Sequence, residues 1–145
     1  MKISIKTFNE LSTSELYHIL QLRSEVFVVE QDCVYQDIDG KDDKALHIIG
    51  KENEEVVAYT RCFDKGFYFK EASIGRVVVK QDKRKYGYGH QIMTASIQAI
   101  KERFSTNHIK LSAQQYLVKF YESHGFETEG EGYLEDGIPH IAMKK

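Results

Sequence analysis

The sequence predicts an α/β sandwich in which one mixed, mostly antiparallel sheet of about seven strands is flanked by helices. Three observations lead there. Strand-like and helix-like runs follow one another in the order β-α-β-β-β-α-β-α-β-β. The three consecutive strand runs in the middle are joined by short turns, which makes them an antiparallel meander. A valine-rich run then passes through a basic, glycine-bearing turn into a long amphipathic helix.

Each element has a local reason. Ile3, Ile5 and the nearby Phe8 alternate, giving a strand over residues 2–8. Ser12 and Glu15 form a capping box, and Leu16, Ile19, Leu20, Arg23, Val26 and Phe27 follow at helical spacing, so a helix is expected over 13–28. Residues 30–44 are polar and aspartate-rich, a loop or a short helix. The meander strands are expected at 47–49, 56–61 and 67–80, with Asn53 in the first turn. Gly75 marks a bulge in the third strand. Ile92, Met93, Ser96, Ile97 and Ile100 give one apolar face to a helix that starts at Gly87 or Gly89 and ends near Phe104. A strand at 108–113, a short helix at 116–123 stopped by His124-Gly125, and a strand pair at 126–133 and 138–143 around Glu135-Asp136-Gly137 complete the chain.

At 145 residues the chain fits one domain, residues 1–145. Hydrophobic residues make up 41% and charged residues 29%, the profile of a water-soluble globular protein. The formal net charge of −2 argues against a nucleic-acid binder, which would be basic. No run approaches the ~20 apolar residues that cross a bilayer, and the first residues lack the apolar core of a secretion signal. A cytoplasmic protein without a membrane partner is expected. Cys33 and Cys62 form no Cys-x-x-Cys pair, so they read as reduced thiols and signal no metal. Asp37-Ile38-Asp39-Gly40 fails as a calcium loop, because the first ligand position would fall on Tyr35 and the closing glutamate on Leu46.

The segment at 75–93 carries the most chemistry. A helix start offers unpaired N–H groups and the positive end of the helix dipole, a favourable place for phosphate. Gly87 and Gly89 let backbone approach a bulky anion, and Lys83, Arg84 and Lys85 add positive charge. The pattern is not a Walker loop, since no Gly-Lys-Ser or Gly-Lys-Thr closes it. Nor is it the dinucleotide fingerprint, since Ile92 takes the third glycine position. On these residues alone, an anion site and a solvated basic turn both remain open.

Arg84-Lys85-Tyr86-Gly87-Tyr88-Gly89 resembles the (Gln/Arg)-x-x-Gly-x-(Gly/Ala) motif of the GNAT N-acetyltransferase superfamily. Residues 120–126, from Phe120-Tyr121 to Gly125-Phe126, are similar to that domain's Phe-Tyr-x-x-x-Gly-Phe ending. Residues 22–31, Gly75-Arg76-Val77-Val78-Val79, Ala113-Gln114, and 135–140 resemble its ElaA-like branch, and together they span nearly the whole chain. Lys85 and Tyr86 depart from the small residues many members carry, and Gln114-Gln115 stands near a usual asparagine.

The resemblance implies a GNAT-like fold with a splayed strand pair and an acyl-CoA-dependent N-acetyltransferase. Acetyl-CoA would be the co-substrate, with a small-molecule or peptide amine as acceptor and no metal. Backbone from Arg84, Lys85, Tyr86, Gly87, Tyr88 and Gly89 would hold the diphosphate, with His90 on the phosphate side. Val77, Val78 and Val79 would meet the pantetheine arm and the thioester carbonyl, beside Gln114 and Phe120. Tyr121 matches the tyrosine that protonates the leaving thiolate. The base is open among Glu30, Glu71, His47 and His140, with His140 favoured as base or acceptor contact. The aspartates of 30–44 and the carboxylates of 127–136 would either steer a cationic amine or simply form a solvated acidic face. A homodimer is compatible with the family, although no patch in the sequence argues for one. The alternative class is an acyl-CoA sensor without turnover.

Overall fold

A computed structural model describes residues 1–145. Its strands are β1 (Lys2–Thr7), β2 (Leu46–Glu52), β3 (Glu55–Phe63), β4 (Ala72–Val79), β5 (Ile109–Gln114), β6 (Glu127–Glu135) and β7 (Ile138–Lys144). Its helices are α1 (Thr13–Arg23), α2 (Tyr88–Phe104) and α3 (Val118–Glu122). The strands form one sheet in the order β1-β2-β3-β4-β5-β7-β6, antiparallel everywhere except between β4 and β5. The α/β sandwich and the element order are those the sequence predicts.

The sheet is covered on both faces because its central strands are apolar on both. Ile48, Ala58, Cys62 and Ile74 pack with Ile92, Met93 and Ile100 of α2. Ile49, Tyr59 and Val78 pack with Ile19 and Leu22 of α1 and with Val26 and Phe27 beyond it. Burying each of the larger side chains among these, the isoleucines, leucine, valines, phenylalanine and methionine, contributes about 1.5–3 kcal/mol. Ser12 accepts from the Glu15 N–H and Glu15 returns the bond to the Ser12 N–H, so the capping box forms as read. Past Arg23 the helix continues as a π-helical stretch, Ser24–Glu30, which keeps Val26 and Phe27 buried.

The strand expected at 67–80 begins only at Ala72. Gly66 sits at φ 81° and turns the chain, and Phe67 and Tyr68 stack on Phe63 at 4.8 and 5.6 Å instead of extending the strand. The bulge at Gly75 is real. Tyr59 pairs with Val78 but Arg61 pairs with Gly75, so Arg76 and Val77 together face Thr60. No helix is long and apolar enough to cross a membrane.

Candidate active site

The bulge bends β4 away from β5. The two strands pair only at Ala72↔Ile109 and Ser73↔Lys110, and then part. Past Ser73, the edge of β4 that faces β5 has no strand partner. One exception lies at its end, where the Val79 carbonyl accepts from Arg84 Nε at 3.1 Å. Two cavities fill the opening. One, of about 340 Å³, is bordered by Val77, Val78, Val79, Arg84, Gly89 and Phe120. The other, of about 110 Å³, lies between Ile74–Val77 on one side and Leu111, Ser112 and the β6–β7 hairpin on the other. Phe27, Gln31, Val77, Gln114, Leu117 and Tyr121 border both, so the two cavities meet at Tyr121.

The larger cavity ends at the start of α2. Gly87 is the N-cap at φ 74°, a left-handed conformation that glycine adopts without cost. The first bond of the helix runs from the Gln91 N–H to the Gly87 carbonyl at 3.2 Å. No side chain caps the preceding amides, so they project from the open end of the helix. A Cβ on Gly89 would lie 3.4 Å from Phe120 Cε1 and 3.8 Å from Val79 Cγ2. Glycine at 89 therefore keeps the cradle open. These groups suit a diphosphate linked to an extended chain, as coenzyme A is.

Of the glycine motif, only Arg84 and Gly89 border that cavity. Arg84 makes a two-pronged pair with Glu30 at 2.6 and 2.8 Å, tying the turn to the π-helical stretch across the cleft. Tyr86 and Tyr88 pack against each other, the Tyr88 hydroxyl donates to Glu52, and Lys85 lies 5.5 Å from the Tyr86 ring. His90 shares a 2.9 Å hydrogen bond with His124 and packs on Phe120.

Tyr121 is only 5% exposed, its hydroxyl makes no hydrogen bond inside the protein, and it borders both cavities. Burial pushes its pKa well above the ordinary value, so the phenol holds its proton. Across the smaller cavity, the His140 Nδ1–H donates to the Ile138 carbonyl at 2.7 Å, which leaves Nε2 as the free lone pair. Nε2 lies 3.4 Å from Glu135 Oε2. The Gln115 amide donates to the His140 carbonyl at 3.0 Å and holds that strand in place. Asp136 and Gly137 both have positive φ, giving the tight hairpin turn that brings Glu135 over the cavity.

The other base candidates lie elsewhere. His47 is fully buried, bonded to the Tyr59 hydroxyl at 2.6 Å and the Asp42 carbonyl at 2.9 Å. Glu71 lies near Lys144, and Glu30 is taken by Arg84. Nothing local in the sequence marks Phe27, Gln31, Cys33, Tyr35 and Leu117 as cavity walls, which the structure makes them. The two cysteines are free, and burial pushes the Cys62 thiol up to about 12.

The aspartate-rich loop corrects the picture of a free acidic face. Arg23 donates to Asp37 at 2.9 Å and to Asp42 at 2.7 Å. Arg61 grips Asp39 with two 2.8 Å bonds and reaches Asp42 at 3.1 Å. Burial alone would raise the Asp39 and Asp42 carboxyls, but the guanidinium bonds outweigh it and hold both below the ordinary carboxylate range. Three aspartates of the loop are thus spent fastening it beside the smaller cavity.

A model of the acetyltransferase (GNAT) domain matches residues 9–145. The chain is 44% identical over 139 residues to protein ElaA of Escherichia coli, covering 94% of this chain and 91% of ElaA. The crystal structure of ElaA superposes with a TM-score of 0.93 at 41% identity, covering 99% of this chain and 98% of that one. A UPF0039 protein of Schizosaccharomyces pombe is 43% identical over 141 residues, covering 96% of this chain and 93% of that protein. The crystal structure of an acyl-CoA N-acyltransferase from Pseudomonas aeruginosa superposes with a TM-score of 0.94 at 39% identity, covering 100% and 99% of the two chains. With the opened β4–β5 pair and the uncapped α2 start, these likenesses lead to one conclusion: the chain belongs to the GNAT family of acyl-CoA-dependent acyltransferases, in its ElaA-like branch.

Proposed function

We propose that this protein moves an acetyl group from acetyl-CoA to a primary amine by direct attack within a ternary complex. The observation that carries the reading is the parting of β4 from β5 after Ser73, with Tyr121 between the two cavities it creates. The co-substrate supplies an activated acyl carbon on a thiol leaving group. The chain's own groups do the rest. The amides at the start of α2 and the motif backbone bind the diphosphate, and the free edge of β4 around Val77–Val79 accepts the extended arm as an added strand. An N–H of that segment polarises the thioester carbonyl.

The amine enters through the smaller cavity. His140 Nε2 takes its proton, and Glu135 stabilises the imidazolium that results. A C–N bond forms, the C–S bond breaks, and Tyr121 gives its proton to the departing thiolate. Burial holds the phenol neutral until the thiolate forms, and the same burial raises the proton affinity of the thiolate beside it. Thiol release with a colorimetric thiol reagent tests the scheme. Tyr121→Phe should lower kcat by about 10²-fold or more, in line with the loss of a general acid, while coenzyme A binding is kept. Unchanged release by Tyr121→Phe would remove the acid role. Tight coenzyme A binding with no release for any amine would favour a sensor.

A further inference from the structure

The smaller cavity carries charges of both signs. Arg76 stands in the β4 bulge at φ 48°, a conformation that costs a non-glycine residue energy and persists where the surroundings hold it. Its Nε lies 2.7 Å from Asp37 Oδ1 as an ion pair without hydrogen-bond alignment, and its Nη2 donates to the Asp37 carbonyl at 2.9 Å and approaches Asp39 at 3.5 Å. Its Nη1 has no acceptor in the protein, although a guanidinium presents five donors. Arg76 and Glu135 border the same cavity. Glu135 has only the Ser112 hydroxyl at 3.2 Å and His140 Nε2 at 3.4 Å for company. Arg76 and Glu135 also border a second chamber of about 80 Å³, where Phe63, Tyr68 and Phe69 stand beside Ile74, Arg61 and Ser112.

We infer that the acceptor is a free amino acid with an apolar side chain. Its carboxylate docks on Arg76 Nη1, its amine lies between Glu135 and His140, and its side chain enters the aromatic chamber. A polyamine would set like charge against Arg76. A peptide N-terminus would bring no carboxylate near its amine. The inference rests on the acetyl-transfer reading above, and it adds no bond-making step to it.

The test compares thiol release from acetyl-CoA by the wild-type protein with L-leucine, L-phenylalanine, their decarboxylated counterparts 3-methylbutylamine and 2-phenylethylamine, and spermidine. The amino acids should exceed their decarboxylated counterparts in kcat/KM by roughly 10- to 100-fold, the range of a charge-assisted hydrogen bond. Arg76→Met, checked for folding by its melting curve, should bring that ratio close to one. Equal or better use of the decarboxylated amines or of spermidine overturns the inference and leaves acetyl transfer standing. So does a ratio that does not move in folded Arg76→Met. No thiol release with any amine, despite tight coenzyme A binding, overturns acetyl transfer itself, and the inference with it. The wild-type comparison decides the matter even where Arg76→Met does not fold.

Discussion

Replacing Arg23 by methionine should destabilise the protein severely. Arg23 is 0% exposed, and its three hydrogen bonds reach the Asp37 carboxylate at 2.9 Å, the Asp42 carboxylate at 2.7 Å and the Asp37 carbonyl at 3.1 Å. Asp37 and Asp42 are themselves only 7% and 8% exposed, so water cannot replace the lost donors. Arg61 and Arg76 still touch these carboxylates, but the buried charges no longer balance. Removing one partner from such a cluster costs about 3–5 kcal/mol. For a chain of this length that is a fall in Tm of about 10–15 °C. Urea unfolding followed by circular dichroism gives the free energy directly. Arg23→Met/Asp42→Leu, which removes an opposite pair, should recover part of the loss. A cost for Arg23→Met below about 1 kcal/mol, the scale of an exposed ion pair, would refute the claim that this cluster holds the loop.

Two further outcomes are expected. Gly89→Val adds branches where a bare Cβ already lies 3.4 Å from Phe120, so coenzyme A affinity by calorimetry should fall roughly tenfold or more while the fold survives; unchanged affinity would move the diphosphate away from this turn. Stability should also decline with acid in two stages. Burial lowers the pKa of His47 below its ordinary 6.5, so the unfolded chain binds a proton that the native one does not, and stability falls as pH drops from about 6.5. Asp39 and Asp42, both held below their ordinary 3.8, add a second decline below about pH 4. Urea midpoints that stay flat between pH 7 and 5 would show that His47 is not kept neutral by the fold.

The sequence was most legible where neighbours in the chain decide the structure. The capping box at Ser12, the bulge at Gly75, the apolar face of α2 and the hairpin turn at Asp136-Gly137 all follow from local spacing. It misled where a distant partner decides. Phe67 and Tyr68 have strong strand propensity, yet their rings stack on Phe63 and the chain turns instead. Asp37, Asp39 and Asp42 look like a solvated face because nothing local shows that Arg23, 14 residues before Asp37, and Arg61, 22 residues after Asp39, will meet them in the core. The glycine motif marked the turn whose Arg84 and Gly89 border the larger cavity. The far end needed the sheet, since Gln31, Cys33 and Tyr35 come to the cavity only when the loop is fastened down.

The most direct test follows the acetyl group itself. With acetyl-CoA isotopically labelled in the acetyl carbon and an amine acceptor, the label should appear on the amine nitrogen, with one free thiol for each amide formed. Label found only as free acetate, released at a rate indifferent to the amine, would contradict transfer through the β4–β5 opening.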